Sequence, residues 1–405
     1  MNSALREEWG NEVFPLLSWF ETQHVKEARI MVAGAGALGN EALKNLALFG
    51  VGNLVVVDFD TIEQSNLTRS ILFRREDADK KSAKATVAAQ RIKEINPNIH
   101  VVPICGDLYA DVGLGLYRMM DVIIGCLDSL QARVLLNRLC LRAGKPWIDG
   151  GIGNMEGHVS VYQSKKSCYE CNLTDDERTD LNRRMSCAGV VKMNEKMGRV
   201  ATTPVIASLI AAVQVQEAMK LIHPKAIQSG LFSTLTGKLF LYEGAHVLAN
   251  VFDFSSHKDD CTAHECWEPV VEIPDLSAHT PIVLAMEKIK QTLSVDQVVI
   301  NMRNNRFVDK IASRTSNRLF FPMLPESKIP AYIGANVEIS DLQESEGFYQ
   351  HDFEHIDESF PYPHLTLLEI GFPYFDVIQV SSRDRLFYIE LSQDKKQYEE
   401  VAQTG

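Results

Sequence analysis

The sequence predicts an α/β protein: a mostly parallel sheet with an antiparallel extension, followed by a smaller C-terminal α+β domain. Three observations predict it. Short apolar runs of strand length alternate with helical stretches through the first half, which is the pattern of a parallel sheet covered by helices on both faces. A glycine-rich turn, Gly34-Ala35-Gly36-Ala37-Leu38-Gly39, joins the first run to the first long helical stretch. Beyond Gly157 the rhythm changes, and HVSVYQ (158–163) and KLFLYE (238–243) read as later strands of an antiparallel extension.

In chain order, residues 1–28 read as a polar helical arm. Strands are predicted at Ile30–Ala33, Leu54–Asp58, Val101–Ile104, Val122–Gly125 and Trp147–Asp149, with helices at Leu38–Phe49, Ala78–Ile95 and Leu130–Ala143. A polar connection, Cys168–Arg199, leads to a helix over Pro204–Ile222 that is apolar on almost every side, as a buried helix is. A boundary near Trp267 divides the chain into residues 1–267 and 268–405. The second part begins with a helix at Pro281–Leu293, passes an acidic, aromatic loop around Asp341–Phe360 and ends in a hairpin, Asp376–Val380 with Leu386–Leu391, around Arg383-Asp384.

Composition narrows the function. The chain has 405 residues, enough for two domains with separate cores. A formal net charge of −12 disfavours non-specific nucleic-acid binding, which needs a basic face. The opening MNSALREEWGNEV lacks the basic and apolar regions of a signal peptide. The longest apolar run, Val205–Val213, is too short to span a bilayer. The expectation is a cytoplasmic protein with no membrane or nucleic-acid partner. Its eight cysteines then read as reduced thiols, metal ligands or nucleophiles.

The glycine turn lets a phosphate approach backbone N–H groups at a helix N-terminus. Asp58, about 20 residues downstream at a strand end, suits ribose hydroxyls, and the strand–turn–helix context makes the domain Rossmann-like. An oxidoreductase needs little more than that carboxylate. This chain adds Asp60, Asn66 and Arg69 in quick succession, Lys84 at the start of KATVAAQRIKEINP, and Asp128 at a strand end in GCLDS. Arg69 and Lys84 are placed to neutralise a triphosphate and the charge that builds at its α-phosphorus. Asp128 is placed to hold the Mg²⁺ that bridges phosphate oxygens. The set reads as an ATP site.

The glycine turn, SNLTR, Lys84 ahead of Asn96-Pro97, and CLDS resemble the ubiquitin-activating superfamily, which includes the sulfur-carrier adenylyltransferases of molybdopterin and thiamine synthesis. The resemblance runs from about Arg6 to Cys266, and GKLFLYEG with a following Cys pair is similar to the end of the molybdopterin-type enzymes. It implies ATP-dependent adenylation of the C-terminal glycine of a ubiquitin-like protein by residues 1–267. Asp58 would bind ribose, Asn66, Arg69 and Lys84 would hold phosphates, and Asp128 would serve magnesium. It also implies a homodimer in which an N-terminal arginine, here Arg6, reaches the partner's site. One departure is Ser70, where the family commonly has Gln after the motif arginine.

Cys168-Tyr169-Glu170-Cys171 is a CxxC, and Cys261 with Cys266 forms a wider second pair with His264 inside it as a substitute ligand. Four thiolates suit a closed, structural Zn²⁺. Cys187, in RRMSCAGVV, has Arg183 and Arg184 nearby to favour the thiolate. Members of the superfamily that form a thioester carry their cysteine in this crossover region, so the resemblance implies a thioester on Cys187 and transfer to a conjugating enzyme. The alternative is a sulfur-carrier adenylyltransferase that stops at the acyl-adenylate. Cys105, Cys126 and Cys140 fall on strand or helix patterns and read as core residues. Residues 268–405 contain no cysteine, which leaves partner docking as their expected role; LLEIGFPYFDVIQV (367–380) resembles tails of bacterial ubiquitin-like activating proteins.

Overall fold

A computed structural model describes residues 14–164, 166–174, 176–177, 202–254, 257–258, 261–302, 305–313, 318–336, 348–396 and 398. Two compact units result. One comprises Met1–Tyr109, Tyr117–Cys266 and Tyr398–Gly405; the other comprises Ala110–Leu116 and Trp267–Gln397.

The first unit is built on one eight-stranded sheet. Its strands are β1 (Arg29–Ala33), β2 (Asn53–Val57), β3 (His100–Ile104), β4 (Val122–Gly125), β5 (Trp147–Ile152), β6 (Glu156–Tyr162), β7 (Lys238–Glu243) and β8 (Leu248–Asp253). Their spatial order is β3-β2-β1-β4-β5-β6-β7-β8. The first five are parallel and the last three antiparallel. Ile30, Met31, Val32 and Ala33 of β1 are all fully buried, as expected of a strand covered on both faces. The chain turns to β2 on one side of β1 and to β4 on the other. The carboxyl ends of β1 and β4 therefore open a crevice, where sheets of this kind receive ligands.

The helices are α1 (Thr22–Glu27), α2 (Ala37–Phe49), α3 (Arg75–Asp79), α4 (Lys84–Ile95), α5 (Leu114–Met119) and α6 (Leu130–Ala143), then a long helix at Pro204–Leu221. The helix expected over Ala78–Ile95 is in fact two. Lys81 takes φ +50°, Ala83 bridges to Thr61, and the second helix starts afresh at Lys84. β8 was not expected. Its side chains are exposed along its whole length at the sheet's edge, so no burial pattern marks it in the sequence. The Pro204–Leu221 helix starts with a Thr203 side-chain cap and Pro204 in its first turn. Ile206, Ile210, Val215 and Ala218 bury one face in the main core, while Val205 is 75% exposed.

The second unit holds a five-stranded sheet, β15-β10-β16-β17-β9, and a smaller one in which β11 pairs with β12, β13 and β14. Their ranges are β9 (Val270–Glu272), β10 (Val299–Asn301), β11 (Phe307–Ser313), β12 (Leu319–Phe320), β13 (Leu324–Pro325), β14 (Phe348–Phe353), β15 (His355–Ile356), β16 (Val377–Ser382) and β17 (Arg385–Glu390). The expected hairpin is β16–β17, with Arg383 at φ +53° in its turn. The stretch expected as a loop around Asp341–Phe360 instead supplies β14 and β15. Residues 337–347 lie outside the described residues. Asp394, buried, accepts the backbone N–H groups of Ala278 (2.8 Å) and Phe375 (3.0 Å). It holds the two ends of this unit's core together.

Candidate active site

The glycine turn is shaped by close backbone approach. Gly34 takes φ +97°, and a Cβ there would collide with the carbonyl of Cys126. A Cβ on Gly39 would strike the carbonyl of Gly34, whereas a Cβ on Gly36 would meet nothing within 4 Å. The open space at Gly36 lies where the first N–H groups of α2 have no intrahelical acceptor. Asn40, fully buried, fixes the turn: its Nδ2 donates to the carbonyls of Ala35 (2.7 Å) and Gly36 (3.0 Å), and its Oδ1 accepts from Leu72 N–H (2.9 Å). This residue was missed in the sequence. Its signal was a polar residue directly after the third glycine on an otherwise apolar helical face.

Asp58 follows β2. One carboxylate oxygen accepts the N–H of Ala35 (2.7 Å) and the other that of Asp60 (2.8 Å). Burial pushes its pKa above the ordinary carboxylate value, against the opposing pull of the Ala35 hydrogen bond and the charge of Lys84. Lys84 is buried at the first turn of α4. Its Nζ pairs with Asp60 at 2.7 Å and its N–H donates to the Asp60 carbonyl at 3.0 Å. Asn66 closes a short turn, accepting from Glu63 N–H at 2.8 Å. Arg69 is partly buried and has no acidic partner among the described residues. Asp128 is exposed and likewise has no cationic partner among them.

Three links join the segments that carry these residues: Asp58 to Ala35, Asn40 to Leu72, three residues past Arg69, and the Cys126 carbonyl packed against Gly34, two residues before Asp128. Arg6 and Cys187 lie outside the described residues.

A second polar group stands behind β4 and β5. Asp149, fully buried on β5, lies 3.3 Å from Arg133 Nε and 3.3 Å from His158 Nε2. Burial would raise its pKa, but the Arg133 charge and the His158 hydrogen bond hold it below the ordinary value. Arg133, in the first turn of α6, donates to the carbonyls of Leu127 (2.9 Å) and Gly150 (3.2 Å). Gln214, fully buried, donates from Nε2 to the carbonyls of Gly125 (2.8 Å) and Ile148 (3.3 Å). The thiol of Cys126, beside Gln214, is pushed well up in pKa by burial and by the charge of Asp149, which disfavours its thiolate.

The cysteine cluster differs from the expected set by one member. The donor atoms of Cys168, Cys171, Cys261 and His264 lie within 4.8 Å of one another. Cys266, expected as the fourth ligand, is exposed and not among them. The sulfurs of Cys168 and Cys171 are 3.7 Å apart, those of Cys168 and Cys261 3.8 Å, and Cys171 Sγ is 3.2 Å from His264 Nε2. Thiolates held at about 2.3 Å from a tetrahedral centre stand about 3.8 Å apart, so the set fits zinc. Burial and the neighbouring His257 lower the pKa of His264, which favours the neutral imidazole a metal needs. The spacing explains the choice: Cys261 and His264 are three residues apart, as are Cys168 and Cys171, whereas Cys266 is five beyond Cys261.

Comparison with known proteins follows the same outline. The model of the ThiF family matches residues 10–263. SUMO-activating enzyme subunit uba-2 of Caenorhabditis elegans is 38% identical over 157 residues, which cover 38% of this chain and 27% of that protein. Adenylyltransferase and sulfurtransferase MOCS3 of Sus scrofa is 28% identical over 249 residues, 61% of this chain and 50% of that protein. Among solved structures, E. coli MccB with ATP is 22% identical with a TM-score of 0.48, over 60% of this chain and 68% of that one. The chain spans from 22% to 61% of the length of the curated relatives it matches.

Proposed function

The chain belongs to the ThiF family, and on that premise we propose that it adenylates the C-terminal glycine of a ubiquitin-like protein with ATP. The observation that carries this reading is a pair of charges, Arg69 and Asp128, that have no oppositely charged partner among the described residues and lie on segments tied to Asp58 and the open glycine turn. An anion with a divalent cation attached satisfies both.

In this reading Asp58 binds the ribose, and the N-terminus of α2 receives phosphate. Asn66, Arg69 and Lys84 hold the phosphates, Arg69 and Lys84 neutralising their charge, with Asp60 orienting Lys84. Asp128 holds the magnesium of Mg–ATP. A carboxylate oxygen of the carrier's terminal glycine attacks the α-phosphorus; a P–O bond forms, the α–β bridging P–O bond breaks, and pyrophosphate leaves with its magnesium. No general base is required, because a terminal carboxylate is ionised near neutral pH. The residues contribute position and charge. Cys187 then attacks the acyl carbon as thiolate, a C–S bond forms and AMP departs. The acyl group passes to a conjugating-enzyme cysteine. Arg6 from a second copy completes the phosphate site. Zinc bound by Cys168, Cys171, Cys261 and His264 ties the segment after β6 to the segment after β8, and residues 268–405 dock a partner.

The MOCS3 relative favours a second reading, in which the carrier is a sulfur carrier and the reaction stops at the acyl-adenylate. One experiment addresses both. With ATP, Mg²⁺ and a candidate carrier, intact-mass spectrometry should show AMP joined to the carrier. A dithiothreitol-sensitive enzyme–carrier species absent from Cys187→Ala supports the thioester. Adenylation without that species supports the sulfur-carrier reading. Absence of any AMP adduct with carriers of both kinds contradicts adenylation.

No helix among the described residues is long and apolar enough to cross a membrane.

A further inference from the structure

Asp128 follows β4 and precedes Ser129, whose Oγ caps α6 by accepting Ala132 N–H at 3.2 Å. On its other side, the carbonyl of Leu127 accepts from Arg133 at 2.9 Å. Both neighbours of Asp128 are thus held, while its own carboxylate is exposed and without a cationic partner among the described residues. The same Arg133 reaches the Gly150 carbonyl on β5 and pairs with the buried Asp149. Nη2 makes both carbonyl bonds while Nε faces Asp149 as an ion pair at 3.3 Å; an ammonium, with all its donors on one atom, has no second nitrogen to face that carboxylate at the same time.

We propose that Arg133 is a positioning residue for Asp128, with Asp149 as its anchor, and that together they set the geometry with which the magnesium of Mg–ATP is held. The proposal rests on the assignment of Asp128 made above. Mg²⁺ demands near-ideal octahedral geometry and tolerates little displacement of a ligand. A small shift of the Leu127–Asp128 backbone therefore loosens the metal while leaving the ribose and phosphate contacts of the glycine turn intact. Gln214 ties the carbonyls of Gly125 and Ile148 one step further back. It keeps β4 and β5 in place when Arg133 is altered. His158 on β6 reaches Asp149 from its other side and holds that carboxylate where Arg133 needs it.

The test uses Mn²⁺ as probe, read by electron paramagnetic resonance on the full-length protein with ATP. Arg133→Lys and Asp149→Asn should each weaken Mn²⁺ binding to the protein–ATP complex about tenfold, the range typical of residues that orient a metal ligand. ATP affinity without divalent ion should stay at the wild-type value. In an Asp128→Asn background, Arg133→Lys should add nothing further, because the two act through one group. Circular dichroism establishes that each variant is folded; if Arg133→Lys is not, Asp149→Asn carries the test. Wild-type Mn²⁺ affinity in the folded variants, or an Arg133→Lys effect that persists undiminished on Asp128→Asn, overturns the proposal. Wild-type Mn²⁺ affinity in Asp128→Asn itself overturns the assignment of Asp128, and the proposal falls with it.

Discussion

In the proposed site Asp58 would prepare the pocket before its ligand arrives. Its two oxygens hold the N–H groups of Ala35 and Asp60, so it fixes the glycine turn from below. Asp58→Asn keeps the shape but turns one acceptor into a donor facing an N–H. We expect ATP affinity to fall at least about tenfold, measured by calorimetry, with little change in fold. In the proposed reaction Arg69 and Lys84 stand differently, because they would meet the charge that builds at the transition state. Arg69→Ala should lower the adenylation rate by about 10²–10³, measured in single turnover, with a smaller effect on ATP binding. Asp149 makes a pH prediction. Its pKa in the folded protein lies below the ordinary carboxylate value. Its contribution to stability is therefore fully present above about pH 4 and is lost as pH falls through the depressed folded-state pKa. Asp149→Asn should cost about 3 kcal/mol at neutral pH by leaving the partly buried Arg133 without its counter-charge. It should also flatten the acid limb of the urea-denaturation profile; an unchanged acid limb would remove Asp149 from the account.

The elements that carry the site were legible because their sequence signals are local. The parallel strands are short apolar runs, and two of the helices between them, α2 and α6, end at glycines in the left-handed region, Gly50 at φ +79° and Gly144 at φ +69°. The glycine turn was legible for the same reason, and Gly39→Ala should abolish nucleotide-dependent thermal stabilisation by driving a methyl into the Gly34 carbonyl. Elements without a burial pattern were not legible. β8 is exposed on both faces, and β14 and β15 lie in an acidic, aromatic stretch whose composition reads as loop. The break between α3 and α4 turns on one residue, Lys81, with a left-handed backbone that no residue type announces. Side chains that work by reaching across the fold were also hidden. Arg133 with Asp149, Gln214 with the ends of β4 and β5, and Asn40 with Leu72 join residues far apart in sequence. For the fourth donor of the cysteine cluster the signal was present in the matched spacing of CxxC and CxxH, which singles out His264, whereas residue type alone points to Cys266.

At the scale of the molecule, the first unit joins an ATP-like crevice to a four-donor cluster that closes a long excursion of the chain. Zinc there would constrain the region after β6 as a cross-link does. His264→Ala should lower the thermal midpoint and the zinc content of the purified protein, His264→Cys should retain both, and Cys266→Ala should leave both unchanged, with metal read by mass spectrometry. Loss of zinc in Cys266→Ala alone would return that residue to the ligand set. The second unit has its own core and its own pinning carboxylate, Asp394. Residues 268–405, which supply most of it, should be dispensable for forming the acyl-adenylate and needed for passing the acyl group on, if they dock a partner. The claim beneath all of these is that the crevice joins AMP to a polypeptide carboxylate and does so reversibly. Isotope exchange tests it most directly: with ATP, Mg²⁺ and the cognate carrier ending in glycine, labelled pyrophosphate should enter ATP, and Arg69→Ala should suppress the exchange. Exchange that never rises above the carrier-free background in the wild-type protein, across carriers of both the ubiquitin-like and the sulfur-carrier kind, would contradict it.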